Sequence, residues 1–255
     1  MSARALLAVT VLLLASAAFA GCASKPPPTT PATACSSTTR AGLDLVDRLD
    51  SVVAMDTNKG CIVIELYDAK APKTVANFRQ YVSEKFYDNV CFHRIIPGFV
   101  VQGGGFDRAS CGTSHKETHA NIPLETQSKL RNEQRTLAMA RMQAPNTASS
   151  EFFFNTVTNC FLDPPSYSTC PDKSVSPDGY AVFGKVVQGW DVVVLLEKAG
   201  TQAGTPTESV YMTAVRLVEG SATGSSAPST ATSATTNSTA TSTSTSSSST
   251  SPYPG

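Results

Sequence analysis

The run Phe92-His93-Arg94-Ile95-Ile96-Pro97-Gly98-Phe99-Val100-Val101-Gln102-Gly103-Gly104 sets one guanidinium beside apolar residues and an amide, between two short strand-like segments. That combination builds a shallow apolar slot with a single fixed cation, able to grip a proline ring and hold its amide. Arginine suits the task because its guanidinium is planar, always charged and multidentate. A charge set between apolar strands is costly to bury without a purpose, which marks Arg94 as functional. The aromatic run Phe152-Phe153-Phe154 divides differently. Side chains alternate along a strand, so Phe152 and Phe154 are expected in the core.

These residues need a scaffold. Residues 51–56 and 61–67 are β-prone and are separated by Thr57-Asn58-Lys59-Gly60, a turn in which Gly60 is free to take a positive φ. Pro72 opens a helix over 72–86, with Val75, Phe78, Val82 and Phe86 on its buried stripe. Strands are expected over 90–95, 99–102, 136–141, 151–156, 180–187 and 210–218. A second helix spans 190–199, with Trp190, Val193, Val194 and Glu197 at helical spacing and Gly200 as its stop. Many short strands with two helices imply a mainly β fold: a closed antiparallel eight-stranded β-barrel capped by two α-helices.

The ends carry other information. Arg4, the apolar run 5–20 and the small residues after it read as a signal peptide over 1–21. Phe19-Ala20-Gly21-Cys22 resembles a lipobox, with Phe19 where Leu is usual. Lipidation of Cys22 would anchor the chain to a membrane. Ordinary cleavage after Ala18-Phe19-Ala20, giving a soluble secreted protein, is the competing reading. Residues 22–50 read as a Pro/Thr-rich tether and 51–219 as the folded domain. Residues 220–255 form a Ser/Thr-rich tail too poor in apolar surface to offset its ordering entropy. The expected location is extracytoplasmic, as a bacterial lipoprotein facing the periplasm or the cell exterior.

The formal net charge is zero and no basic run exceeds two residues, so nucleic-acid binding has no support. Seven cysteines are many for a reducing compartment and ordinary for an exported chain. Setting Cys22 aside leaves six, which allow about 15 connectivities. Cys160 and Cys170, flanking a Pro-rich loop, are the favoured pair, while Cys61 and Cys91, in strand-like runs, also fit buried thiols.

Two motifs carry little chemistry. His115-Lys116-Glu117-Thr118-His119 lacks the Glu directly after the first His that a zinc-protease helix needs, and no third ligand is evident. A solvated loop is the better account, and no metal is expected. Gly103-Gly104-Gly105 lacks the spacing of a phosphate cradle and reads as a bulge or a close backbone approach. His93 either lines the groove or sits satisfied in the core.

The 92–104 run resembles the signature of the cyclophilins, the peptidyl-prolyl cis/trans isomerases. The likeness extends in family order through Pro72-Lys73-Thr74-Val75-Ala76-Asn77-Phe78, Leu137-Ala138-Met139-Ala140-Arg141, Pro145-Asn146-Thr147, Ser150-Glu151-Phe152-Phe153, Phe161-Leu162-Asp163 and Tyr180-Ala181-Val182-Phe183-Gly184-Lys185-Val186. Arg141, Phe161 and Tyr180 resemble the bacterial periplasmic branch; eukaryotic relatives usually carry Asn, Trp and His there.

The resemblance implies Arg94 and Gln102 as catalytic residues, with Gln102 positioning the guanidinium. It implies a ring pocket of Phe99, Val100, Phe153, Phe161, Leu162 and Tyr180, and pairing of the peptide with the backbone of Ala140 and Arg141. The implied partners are proline-containing polypeptides, with no cofactor, and the implied role is in folding exported proteins. A monomer is expected. A chaperone or adaptor that holds proline segments with little turnover is the alternative. Two departures stand out. The family usually has Gln where this chain has Glu151, a substrate-groove position whose carboxylate is expected to pair with Arg94 and make it less available. The second is the loop 164–179, longer than in the shortest relatives, which borders the expected pocket and would tune which partners enter. Separately, Phe161 in place of Trp implies weak cyclosporin binding.

Overall fold

A computed structural model describes residues 34–35, 38–47, 50–173 and 177–218. The leader 1–21, Cys22, most of the remaining tether and the 220–255 tail lie outside the described residues. Eight strands follow in chain order: β1 (Ser51–Thr57), β2 (Gly60–Leu66), β3 (Arg94–Ile96), β4 (Val100–Gly103), β5 (Thr136–Met139), β6 (Phe152–Asn155), β7 (Val182–Gln188) and β8 (Met212–Leu217). Two helices, α1 (Pro72–Ser83) and α2 (Trp190–Glu197), complete the frame.

The β1–β2 hairpin closes as its sequence requires. Thr57 Oγ1 donates to the Gly60 carbonyl at 2.8 Å and accepts from the N–H groups of Lys59 and Gly60. Gly60 has φ +143°, and a Cβ there would meet Val192 of α2 at 2.8 Å. Helix α1 begins at Pro72 and buries Val75, Phe78 and Val82, but it stops at Ser83, short of Phe86. Its first turn has no cap from its own sequence. Instead Glu125 reaches in from a distant loop and accepts the N–H groups of Lys73 and Thr74 and the Thr74 hydroxyl. A carboxylate there satisfies otherwise unpaired N–H groups and the positive end of the helix dipole. In α2 the buried stripe is Val192, Val193 and Leu196, one residue out of phase with the expected Val194 and Glu197.

All the strands pair antiparallel in the order β3-β4-β6-β5-β7-β2-β1-β8. The expected closed barrel is corrected to an open, curled sheet, because β3 and β8 do not pair. Their approach is one isolated bridge, Cys91 to Tyr211, flanked by hydrogen bonds from Phe92 N to Val210 O and from Met212 N to Val90 O. Beyond it the outer edge of β3 is taken by a loop: Ile95 N donates to Gly204 O and Thr201 N to Ile95 O. No backbone groups are left there for a strand. The strand expected over 90–95 is reduced to Arg94–Ile96, with Val90 and Cys91 making isolated bridges to Asp107 and Tyr211 instead.

The core lies inside the curl, where Phe78 packs on Phe152 and Phe183, with Tyr81, Tyr87 and Phe154 beside them. Phe152 and Phe154 both face this core, while Phe153 joins a separate cluster with Val100, Ala138, Leu162 and Val182. A third cluster explains part of the segment read as a tether. Leu43 and Leu45 pack against Val52, Ala54, Val63 and Val218. Cys35 is buried and disulfide-bonded to Cys61. Cys91 is bonded to Cys111 and Cys160 to Cys170, so Cys61 and Cys91 are not free thiols.

Candidate active site

The sheet register builds the site directly. Arg94 of β3 stands opposite Gln102 of β4, Gln102 opposite Phe153 of β6, Phe153 opposite Ala138 of β5, and Ala138 opposite Val182 of β7. Residues directly opposite in a sheet share a face, so this row lays a guanidinium, an amide, an aromatic ring and two small apolar groups side by side. Above it lies a cavity of about 270 Å³ lined by Arg94, Phe99, Val100, Gln102, Ala140, Arg141, Phe153, Phe161, Leu162 and Tyr180. Glu151 is the one expected site residue outside it; it lines an adjoining cavity of about 430 Å³ that shares Gln102, Ala140 and Arg141.

Val100, Phe153 and Leu162 are buried and make the floor. Phe99 and Phe161 stack with ring centroids 5.6 Å apart, and Phe153 meets Tyr180 edge-on at 5.9 Å. Arg141 holds the far wall. Its Nε and Nη2 donate to the Gly179 carbonyl at 2.9 and 2.7 Å, and its guanidinium lies 4.6 Å from the centre of the Tyr180 ring.

Arg94 differs from expectation in one respect: it is exposed at the rim, not buried between strands. Burial therefore does not mark it as functional. What distinguishes it is aim. Its Nη1 donates to Gln102 Oε1 at 3.3 Å, and its guanidinium lies 5.7 Å from the centre of the Phe99 ring.

The expected Glu151–Arg94 pair is also corrected, because Gln102 stands between them. Gln102 Nε2 donates to Glu151 Oε2 at 2.8 Å. The same carboxylate lies 3.4 Å from His93 Nε2 and 3.3 Å from His115 Nδ1. Burial holds the His93 pKa below the ordinary histidine range, against the raising influence of Glu151.

Behind the hollow lies a buried amide network that the sequence reading did not find. Asn159 Nδ2 donates to the Phe99 carbonyl and to Asn155 Oδ1, and Asn155 Nδ2 donates to Asn132 Oδ1 and Thr136 Oγ1. Asn132 in turn donates to Asp163. Each buried amide finds a partner, which fixes the chain on both sides of the pocket, at Phe99 and at Phe161-Leu162. The available signal was a set of amide and carboxyl side chains lying among apolar residues.

A slot of this size, floored by apolar side chains and rimmed by the Gln102 amide and the Arg94 guanidinium, is a receptor for a small ring carrying a polar group. Comparison with known proteins identifies the class. The family model described as cyclophilin type peptidyl-prolyl cis-trans isomerase/CLD matches residues 52–217. The chain belongs to this family and is a peptidyl-prolyl cis-trans isomerase.

Among its relatives, peptidyl-prolyl cis-trans isomerase B of Escherichia coli is 42% identical over 173 residues, 66% of this chain and 100% of that protein. Peptidyl-prolyl cis-trans isomerase cyp18 of Streptomyces antibioticus is 40% identical over 173 residues, 66% of this chain and 99% of its own. The crystal structure of a Cryptosporidium parvum cyclophilin type isomerase, determined in the presence of the dipeptide Ala-Pro, matches with a TM-score of 0.53 at 26% identity. That match covers 65% of this chain and 98% of the other.

Proposed function

We propose that the isomerase acts on exposed X–Pro bonds of extracytoplasmic polypeptides, with Arg94 as the group that lowers the barrier and Gln102 as the residue that aims it. The chemistry required is modest. Rotation about X–Pro is opposed by about 18–20 kcal/mol, because amide resonance must be lost, and it takes tens to hundreds of seconds unaided. As the bond twists, the lone pair localises on the prolyl nitrogen. A donor fixed beside that nitrogen stabilises the twisted state more than the planar one, and only such differential binding speeds the step.

The observation that carries the reading is the Arg94–Gln102 contact at the mouth of the aromatic hollow. With the proline ring on Val100, Phe153 and Leu162, the guanidinium lies on the side where the nitrogen would be. The peptide would run over Ala140 and Arg141, just past the end of β5, like an added strand. The Ala-Pro dipeptide named with the Cryptosporidium structure agrees with a proline-peptide ligand. In a protease-coupled proline-peptide assay, Arg94→Ala is expected to lower kcat/KM by about 10²–10³-fold. Equal rates for wild type and Arg94→Ala would instead favour a binding module.

The location is part of the same proposal. Three disulfides suit an oxidising compartment. Cys22 is read as the acylated first residue of the mature chain, tethering the isomerase to a membrane surface. Mass spectrometry of the mature N-terminus tests this: a lipid-bearing Cys22 is expected, and an unmodified N-terminus at Gly21 would overturn it.

A further inference from the structure

Glu151 sits one residue before β6, and its carbonyl accepts the Ala140 N–H at 2.9 Å. Its side chain folds back over Gly105, where an added Cβ would lie 2.3 Å from Oε1. Gly104 has φ +98°, and an added Cβ there would lie 2.6 Å from the Ser150 carbonyl oxygen, so the glycine run lets this turn press against the head of β6. The carboxylate is gripped on both oxygens, Oε2 by Gln102 and His93 and Oε1 by His115. The Phe106 ring packs against both imidazoles, with centroids 4.6 Å from His93 and 4.0 Å from His115.

An ionised carboxylate only accepts hydrogen bonds. Gln102 must therefore turn its NH₂ toward Glu151, which leaves its carbonyl facing Arg94. We propose that Glu151 is a positioning residue of the isomerase: it fixes the Gln102 amide so that the amide oxygen holds Arg94 on the pocket, and His93 and His115 set how much of its negative charge reaches the guanidinium. This rests on the reading of Arg94 and Gln102 as the working pair.

The two histidines play different parts. His93 Nδ1 is buried without a partner among the described residues, so an imidazolium there would carry an N–H with no acceptor. His93 stays neutral and faces Glu151 Oε2 with its Nε2 at 3.4 Å. The His115 side chain is 66% exposed and stands 3.3 Å from Glu151 Oε1. The other charged groups at this carboxylate and its cavity are Arg94, Lys116 and Arg141. Lysine and arginine side chains keep their charge between pH 5 and 8, whereas histidine is the side chain that changes there. An imidazolium at this place would offset Glu151 and leave the field of Arg94 on the prolyl nitrogen undiminished.

The test is kcat and KM from pH 5 to 8.5 by NMR exchange on a proline tetrapeptide, which needs no helper protease. The wild type is expected to show a kcat/KM severalfold higher at pH 5.5 than at pH 8. Glu151→Gln, which keeps an acceptor but removes the charge, loses that slope. His115→Phe loses it too and stays at the alkaline level. Glu151→Ala, which releases the amide, lowers kcat about tenfold at every pH with KM changed less than twofold. A flat wild-type profile, a Glu151→Gln profile parallel to wild type, or a Glu151→Ala kcat within twofold of wild type would each overturn the proposal. If Glu151→Ala does not fold, His115→Phe decides: a wild-type slope in that variant is equally fatal. Arg94→Ala run alongside separates the two claims, because an active Arg94→Ala sinks the underlying reading, whereas an inactive one with near-normal Glu151→Ala sinks only this one.

Discussion

Asn132 donates both its backbone N–H and its side-chain amide to the same oxygen of Asp163, each at 2.8 Å. Asp163 directly follows the short 3-10 turn Cys160–Leu162, so this clamp sets where Phe161 and Leu162 stand against Phe99. Both residues are buried, at 0% and 1% exposure, so removing the Asp163 carboxylate takes the acceptor from the buried Asn132 backbone N–H. Asp163→Ala is therefore expected to destabilise the fold by about 1–3 kcal/mol. Urea unfolding checks the stability. Steady-state kinetics on the same variant should show KM rising more than kcat falls, because the wall loosens while Arg94 keeps its place.

Asp50 makes stability depend on pH. Burial first, and then the charges of Glu65, Asp68 and Asp47, push its carboxyl from 3.8 up to about 6. The folded state therefore binds this proton more tightly than the unfolded state does. Its stabilising contribution is complete below about pH 4 and is lost as pH rises through about 6. Asp50→Asn keeps an acceptor for the Asp68 N–H that Asp50 Oδ1 now receives. The full shift would correspond to about 3 kcal/mol, and solvent screening at this partly open site reduces it, so that variant should be more stable than wild type by about 1 kcal/mol at pH 8 and no more stable at pH 4. Denaturant unfolding at pH 4, 6 and 8 decides it.

The three disulfides should differ in consequence more than in energy. They close chain separations of 26, 20 and 10 residues. Chain-entropy reasoning then assigns each about 3 kcal/mol, with the longest loop slightly ahead. Cys91, however, lies two residues before His93 and on the single bridge between the sheet edges. The double variant Cys91→Ala/Cys111→Ala should lower both Tm and isomerase activity. Cys160→Ala/Cys170→Ala should lower Tm by a similar amount.

Phe161 bears on inhibition. It stacks on Phe99 at the rim, where the resemblance to the family implies that Trp favours cyclosporin. A larger ring with an N–H donor adds apolar area and a hydrogen bond. Wild type should bind cyclosporin weakly, and Phe161→Trp should tighten binding at least tenfold, as read by titration calorimetry.

Residues close in the chain determined a good deal by themselves. The 57–60 turn, the start of α1 at Pro72, the inward alternation of Phe152 and Phe154, and the Cys160–Cys170 pair all depend on neighbours within about ten positions. Ten of the eleven expected pocket residues line one cavity, because their motifs carry the side-chain chemistry that a proline receptor needs.

Tertiary structure alone decided what depends on distant segments meeting. Glu125 caps a helix 51 residues away, and Cys35 and Cys91 find Cys61 and Cys111. The loop at 201–204 occupies the edge of β3 and leaves the barrel open. Gln102 comes between Arg94 and Glu151 because β4 lies between β3 and β6, a strand order that burial of the whole sheet selects and no local propensity encodes.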